Sequence, residues 1–206
     1  MIDLILSFDK LITLFLKNLL PHNHFFNLFF SFFSLKGFTV FLWIVIVIVV
    51  LILEERKHPG VSKKDKQFVI AFISTFLLTA LTVFLLQNFF HRLRPITTSF
   101  NPSTSLRVNR FQPFDFAQGK PISIKCPTNF SFPSGHAATA FAASTVLTFF
   151  DKKRRFFYYT TAFLIAYSRL YLGCHYFLDV LGGGVLGIII SKVILNILTN
   201  LKKSSS

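Results

Sequence analysis

Three short fragments hold the residues whose types and spacing suit chemistry, and each borders an apolar run. Arg94-Pro95 follows the run that ends at Phe90, and Pro133-Ser134-Gly135-His136 opens the next. Ser168-Arg169 is followed by five residues, His175, three residues and Asp179. His175 and Asp179 stand one helical turn apart and so share a face. A carboxylate bonded to one imidazole nitrogen fixes the tautomer and leaves the other nitrogen as nucleophile or base. Ser134 is an N-cap candidate. Gly135 lets the backbone approach a ligand, and the first amides of the following helix face an anion with the dipole behind them. His136 would lie next to that anion. Arg94 and Arg169 offer planar forks that match phosphate oxygens bidentately. Two histidines, a carboxylate, a hydroxyl and two guanidiniums are what is needed to hold a phosphate and attack its phosphorus. The same residues also have plainer readings: a buried polar pair joining two helices, a capped helix start, and arginines snorkelling to lipid headgroups.

The elements that must position these groups read as membrane helices. A chain of 206 residues is one domain on length alone, and it is 52% hydrophobic with 29 phenylalanines. Mean hydropathy is +0.59, and the charges cluster between apolar runs, as in a polytopic membrane protein. The net charge of +14 sits in blocks flanking the spans, so the positive-inside rule explains it and nucleic-acid binding is not expected. Nothing at the N-terminus reads as a cleaved signal peptide.

Residues 2–20 are apolar but interrupted by Asp3, Ser7, Lys10, Lys17 and Asn18, which predicts an amphipathic helix. It would lie in the interface or cross with that polar stripe toward the bundle, and crossing is the favoured reading. Pro21-His22-Asn23-His24 breaks it; two histidines in a wet loop with no third ligand do not make a metal site. Phe25 to Phe33 is too short to cross and aromatic enough for the headgroup region. The clear spans are Gly37–Leu53, Phe68–Phe90, Gly135–Phe150, Phe156–Leu172 and Phe177–Leu198. The fold class expected is therefore an all-α polytopic bundle of about six helices, five clear spans plus the amphipathic N-terminal one. Between the spans, 96–132 is a long polar stretch without apparent regular structure, a functional lid or a disordered segment. The basic residues of 54–66, those of 151–155 and Lys202-Lys203 alternate so as to share the cytoplasmic side, which puts all three polar fragments on the other.

At this point the chain resembles the type 2 phosphatidic acid phosphatase (PAP2) superfamily. Pro133-Ser134-Gly135-His136 and Ser168-Arg169-x5-His175-x3-Asp179 match its second and third motifs residue for residue, and Arg94-Pro95 is similar to the end of its first. The resemblance covers roughly residues 68–190. It implies a six-helix bundle, a single membrane-embedded phosphatase domain over 1–206, and an outward-facing site that uses neither metal nor other cofactor. It also implies that His175 attacks phosphorus to give a phosphohistidine, oriented by Asp179, and that His136 protonates the leaving oxygen. Arg94, Arg169, Ser134 and the Gly135 amide would hold the phosphoryl oxygens. The expected partners are the bilayer and a lipid phosphate, with polyprenyl diphosphate foremost, at the outer face of a bacterial-type plasma membrane. Oligomeric state has no signature in the sequence.

One departure stands out. The family's first motif usually begins with a lysine where this chain has Gln87, and Leu93 replaces a common proline. Gln87 and Arg92 are further candidates for phosphate contact, along with Arg107, Arg110, Lys120 and Lys125 of the long stretch. The neutral glutamine leaves three rivals open: a lipid phosphotransferase, an inactive lipid-phosphate binder, and, more remotely, a metal site from His136, His175 and Asp179. Cysteine-phosphatase chemistry needs an arginine six residues past the thiol, and Phe132 and Val180 stand there instead. Cys126 and Cys174 could pair across the site in an oxidising compartment. The Gly183/Gly187 spacing predicts close helix packing.

Overall fold

The structure, a computed structural model, describes residues 2–33, 37–55, 63–95, 114–115, 120–121 and 126–204. Among them are seven α-helices: α1 (Ile2–Lys17), α2 (His24–Phe32), α3 (Phe38–Glu55), α4 (Lys63–Phe90), α5 (Gly135–Phe150), α6 (Arg155–Tyr171) and α7 (Phe177–Ser204). Residues 56–62, and with them part of the expected basic loop, lie outside the described residues, as do Arg107, Arg110 and Lys125.

The bundle is built around α5. Alanines and small polar residues fill this helix and leave it buried almost all round, from Ala137 and Ala138 through Ala142 and Ala143 to Leu147. Small side chains let neighbouring backbones come close, which is how helices associate where lipid removes the hydrophobic drive. α4 buries a single stripe, Phe68, Ala71, Thr75, Thr79, Val83 and Gln87, spaced three or four residues apart on one face. Its other faces expose Ile70, Leu77, Phe84 and Leu85. Large apolar residues also point outward along α3 and α7, for example Ile48, Ile189 and Val193. That arrangement suits a lipid solvent.

Lys64–Phe90 and Phe177–Leu201 are long and apolar enough to cross a membrane, and Phe38–Leu53 is a shorter apolar helix. The other two expected spans form helices of 16 and 17 residues, α5 and α6. Helix α2 is an addition to the six expected. Asn23 caps it by accepting from the Phe26 amide, and Phe30 packs on Tyr167 and Tyr171.

Two features bring the polar fragments together. The first is the α5–α7 contact: a Cβ on Gly183 would strike the backbone carbonyl of Ser134, and one on Gly187 that of Ala138. The expected close packing is present, and it docks the Pro133–His136 segment on α7, with the Ser134 amide donating to the Asp179 carbonyl at 2.8 Å. Gly183→Ala must therefore push the two backbones apart. Phosphate release is expected to fall at least about tenfold, since ångström-scale misplacement costs up to about a hundredfold. Loss should exceed that of Gly182→Ala, where the obstacle is the Phe132 ring, a side chain.

The second feature is the strap after the long polar stretch. Within that stretch, expected to lack regular structure, Phe114–Asp115 pairs antiparallel with Lys120–Pro121. From Cys126 onward the chain is tied down by a Cys126–Cys174 disulfide, with Cα atoms 5.5 Å apart. The Ser131 amide donates to the Arg92 carbonyl at 2.7 Å.

Candidate active site

α6 ends at Tyr171, and Gly173 takes φ +68°. Glycine adopts this left-handed conformation without steric penalty, and it reverses the chain into Cys174 and His175. The Cys174 and His175 amides both donate back to the Arg169 carbonyl. His175 is thereby fixed between the end of α6 and the start of α7, and it is buried.

Its two ring nitrogens face different groups. Nδ1 lies 3.5 Å from Asp179 Oδ2. Nε2 lies 2.8 Å from Arg94 Nη1. A guanidinium only donates, so the close Nε2 contact requires a lone pair there and puts the ring proton on Nδ1, toward Asp179. Burial pushes His175 down to about 4; Asp179 opposes that shift, while Arg94 and Arg169 reinforce it. The resting imidazole is thus neutral at neutral pH, with its lone pair on the nitrogen that faces the arginine.

Arg94 sits in a cradle of acceptors. Nε donates to the Asn129 carbonyl at 2.8 Å, and Nη2 to Asn129 Oδ1 at 2.7 Å and the Phe130 carbonyl at 3.2 Å. Nη1 also donates to the Cys174 carbonyl at 2.9 Å. Burial lowers its pKa to about 10, which leaves it charged at neutral pH. Arg169, fully buried in the last turn of α6, has Arg94 as a charged neighbour. Two like charges held together away from water repel strongly, and an entering anion relieves that repulsion.

Ser134 is the N-cap of α5, as its place after Pro133 predicts, but its hydroxyl makes no cap bond. The hydroxyl is fully buried and has no hydrogen-bond partner among the described residues. His136, at the second position of α5, has the charged Arg169 and Arg94 and the His175 ring as neighbours. At Gly135 a Cβ would touch Val83 at 3.4 Å. The structure thus brings His136, His175, Asp179, Arg94, Arg169 and Ser134 to one end of the bundle.

Gln87 and Arg92 are placed otherwise than a phosphate contact requires. Gln87 Nε2 donates to the Pro133 carbonyl at 3.0 Å and its Oε1 accepts from Asn129 Nδ2 at 2.7 Å. It is a strut that aligns the strap, and through Asn129 it steadies Arg94. Arg92 spends its guanidinium on two buried carboxylates, Asp179 at 2.7 Å and Asp9 at 2.5 Å. The physical reason is shared: each side chain has a nearer protein partner that satisfies it.

Two contributors are not marked by motifs in the sequence, Asn129 beside Arg94 and the buried Asp9 of α1. Of the stripe expected to face the bundle, Asp3, Ser7, Lys10 and Asn18 are exposed and Lys17 is half-buried. Asp9 and Thr13 are the buried pair, about a quarter-turn round the helix. The signal was a lone carboxylate within an apolar run. The hydrogen bonds that Asp9, Thr13 and Leu16 make to other elements all reach the site end of the bundle. Among the described residues, no three or more His, Cys, Asp or Glu side chains gather at metal-binding spacing.

Comparison with known proteins follows the same residues. The family profile described as the PAP2 superfamily matches residues 68–203. The undecaprenyl-diphosphatase of Sulfolobus acidocaldarius is 27% identical over 163 residues, which is 75% of this chain. The match spans 66% of that relative, just under two thirds of its length. Among solved structures, LpxE of Aquifex aeolicus is similar at 27% identity and a TM-score of 0.56, covering 88% of this chain and 92% of that one. A transmembrane PAP2-type phosphatidylglycerolphosphate phosphatase from Bacillus subtilis gives a TM-score of 0.58 over 95% of this chain and 86% of its own. At 21% identity that likeness is one of fold.

Proposed function

The chain belongs to the PAP2 superfamily, and from that premise we propose that it is a membrane-embedded lipid phosphatase. It hydrolyses the terminal phosphate of a lipid (di)phosphate, with a polyprenyl diphosphate as first candidate. The observation that carries this reading is the His175 environment: a neutral ring with Nδ1 toward Asp179 and its Nε2 lone pair against a buried arginine. A phosphoryl group taking Arg94's place at Nε2 would meet a nucleophile already in the attacking tautomer.

The residues then take these roles. Arg94, Arg169, the Ser134 hydroxyl and the amides opening α5 hold the phosphoryl oxygens as negative charge spreads over them. His175 Nε2 attacks phosphorus; the new N–P bond forms as the P–O bond to the leaving group breaks. His136 gives that oxygen a proton. In the second step His136 takes a proton from water, whose oxygen displaces His175 and releases inorganic phosphate. Asp179 keeps the Nδ1 proton oriented and stabilises the cationic ring.

The site belongs at the outer face in this reading. The basic turn 151–155 lies at the opposite end of α5 and α6, as the positive-inside rule requires of the cytoplasmic side. The Cys126–Cys174 disulfide, next to His175, fits an oxidising compartment. Gln87 favours a second reading, because the position where charge is usual is neutral and occupied as a strut. That reading is a lipid-phosphate binder, or a transferase that turns over only with an acceptor.

The test is phosphate release by the purified full-length protein in detergent and excess chelator, across polyprenyl and glycerol lipid phosphates. Turnover with a trappable phosphoenzyme that is acid-labile and base-stable supports the hydrolase. Binding without release, or release only with an acceptor alcohol, would replace it by the second reading.

A further inference from the structure

We propose that Asp9, on α1, is a positioning residue of the active site: by occupying one arm of Arg92 it leaves Asp179 free to face His175. The inference rests on the catalytic reading of His175 given above. Arg92 has two terminal nitrogens. Nη2 donates to Asp9 Oδ2, and Nη1 donates to Asp179 Oδ1 at 2.7 Å. Its plane also lies over the Tyr176 ring, 4.4 Å from the centroid. A guanidinium facing one carboxylate closes on both oxygens in a fork. Here Asp9 holds the second arm, so Arg92 reaches Asp179 through one oxygen only. The other oxygen, Oδ2, accepts from the Tyr176 amide at 2.9 Å and faces His175 Nδ1.

α1 also closes the start of α7. Asp9 Oδ1 accepts from the Leu178 amide and Thr13 Oγ1 from the Phe177 amide, both at 2.9 Å. With Asp179 on the Tyr176 amide, three successive donors that a helix start leaves unmet are satisfied by side chains. Asp9 and Asp179 are both fully buried. Two buried carboxylates around one guanidinium offset part of the positive charge that Arg94 and Arg169 place beside His175, which favours the cationic ring formed when Nε2 attacks. A segment outside the PAP2 match at 68–203 thus supplies part of the catalytic geometry.

The plain alternative is that Asp9 only docks α1. Thr13 separates the two readings, since it makes the neighbouring α1–α7 bond without touching Arg92. Full-length variants would be assayed in detergent with the lipid phosphate that the wild type turns over best. Asp9→Asn, which keeps shape and loses charge, is expected to lower kcat about tenfold to a hundredfold, the scale for removing an orienting partner, with KM within about threefold. Thr13→Val should stay within about threefold in kcat. The Asp9→Asn/Arg92→Gln double variant should lose no more than Arg92→Gln alone, as expected of residues acting in one chain. Equal losses for Asp9→Asn and Thr13→Val, or multiplicative losses in the double variant, would overturn the proposal.

A second measurement needs no turnover. In ¹⁵N-histidine spectra the wild-type His175 ring should be the Nδ1–H tautomer, and Asp9→Asn should shift it toward a mixture. An unchanged tautomer overturns the role of Asp9. A wild type that acts on no lipid phosphate overturns the phosphatase reading, and the spectra still decide on Asp9.

Discussion

His175→Gln is expected to abolish phosphate release, a fall on the order of 10⁴ or more, while a lipid phosphate still binds. Losses of that size follow removal of a nucleophile that acts as a unit with its partners. Glutamine preserves a polar group of similar reach, so the Arg94 cradle, built mostly from Asn129, Phe130 and Cys174, should persist. The phosphoenzyme trapped in the wild type must vanish with it. The pH dependence gives an independent check. Neutral His175 is the attacking form, and burial pushes its pKa down to about 4 against the ordinary 6.5. The attacking form is therefore present above about pH 4 and lost as the pH falls through that value. The acid limb of kcat/KM, which reports the free enzyme, should lie well below 6.5 once the substrate's own ionisation is allowed for. Turnover by His175→Gln at a tenth of the wild-type rate would remove His175 from the chemistry.

The site's principal side chains were legible because their spacing is dictated by local geometry. His175 and Asp179 are four residues apart, and although His175 lies in the turn before α7 rather than on the helix, that short separation keeps them adjacent. Ser134 follows a proline at a helix start, and Arg169 ends an apolar run. Such relations depend on a few bonds of chain and survive into the fold. The protein partners of Gln87 and Arg92 were not legible, for the opposite reason. Their types suit phosphate, but what they touch depends on elements 42 to 87 residues away in sequence, Asn129, Pro133, Asp9 and Asp179. Asp9 does not stand out in the sequence because most polar residues of α1 lie on a different face. Burial picked out the adjacent face instead, where one carboxylate accepts from two donors, the Arg92 guanidinium and the Leu178 amide, and would otherwise be left uncompensated. For the helices, the continuous apolar runs located the long ones well. It passed over α2, whose nine residues are held by an asparagine cap and aromatic packing.

Arg94→Lys should cost about a hundredfold to a thousandfold in kcat, the scale for losing one preorganised donor to developing charge, although the formal charge is kept. Arginine is required here on two counts. Its fork places three nitrogens at once on Asn129, Phe130, Cys174 and His175, which aims the guanidinium at the nitrogen where phosphorus must sit. A lysine concentrates its donors on one atom and cannot hold that orientation. The second count is charge. Burial brings Arg94 down to about 10, so the guanidinium remains protonated throughout the assay range. The same burial acting on lysine, ordinarily near about 10.4, carries it toward neutral pH. Lysine is charged below its pKa and neutral above it, so the defect should deepen as pH rises from about 6 to 9, a range in which wild-type Arg94 does not titrate. Asn129→Ala removes one contact, Nη2 to Asn129 Oδ1, and keeps residue 94 charged and held by three backbone carbonyls, so it should show a smaller kcat loss without that pH trend. If Arg94→Lys matched the wild type at every pH, the transferring phosphoryl group would have to be held elsewhere, and Arg169 with the α5 amides would be left to carry it.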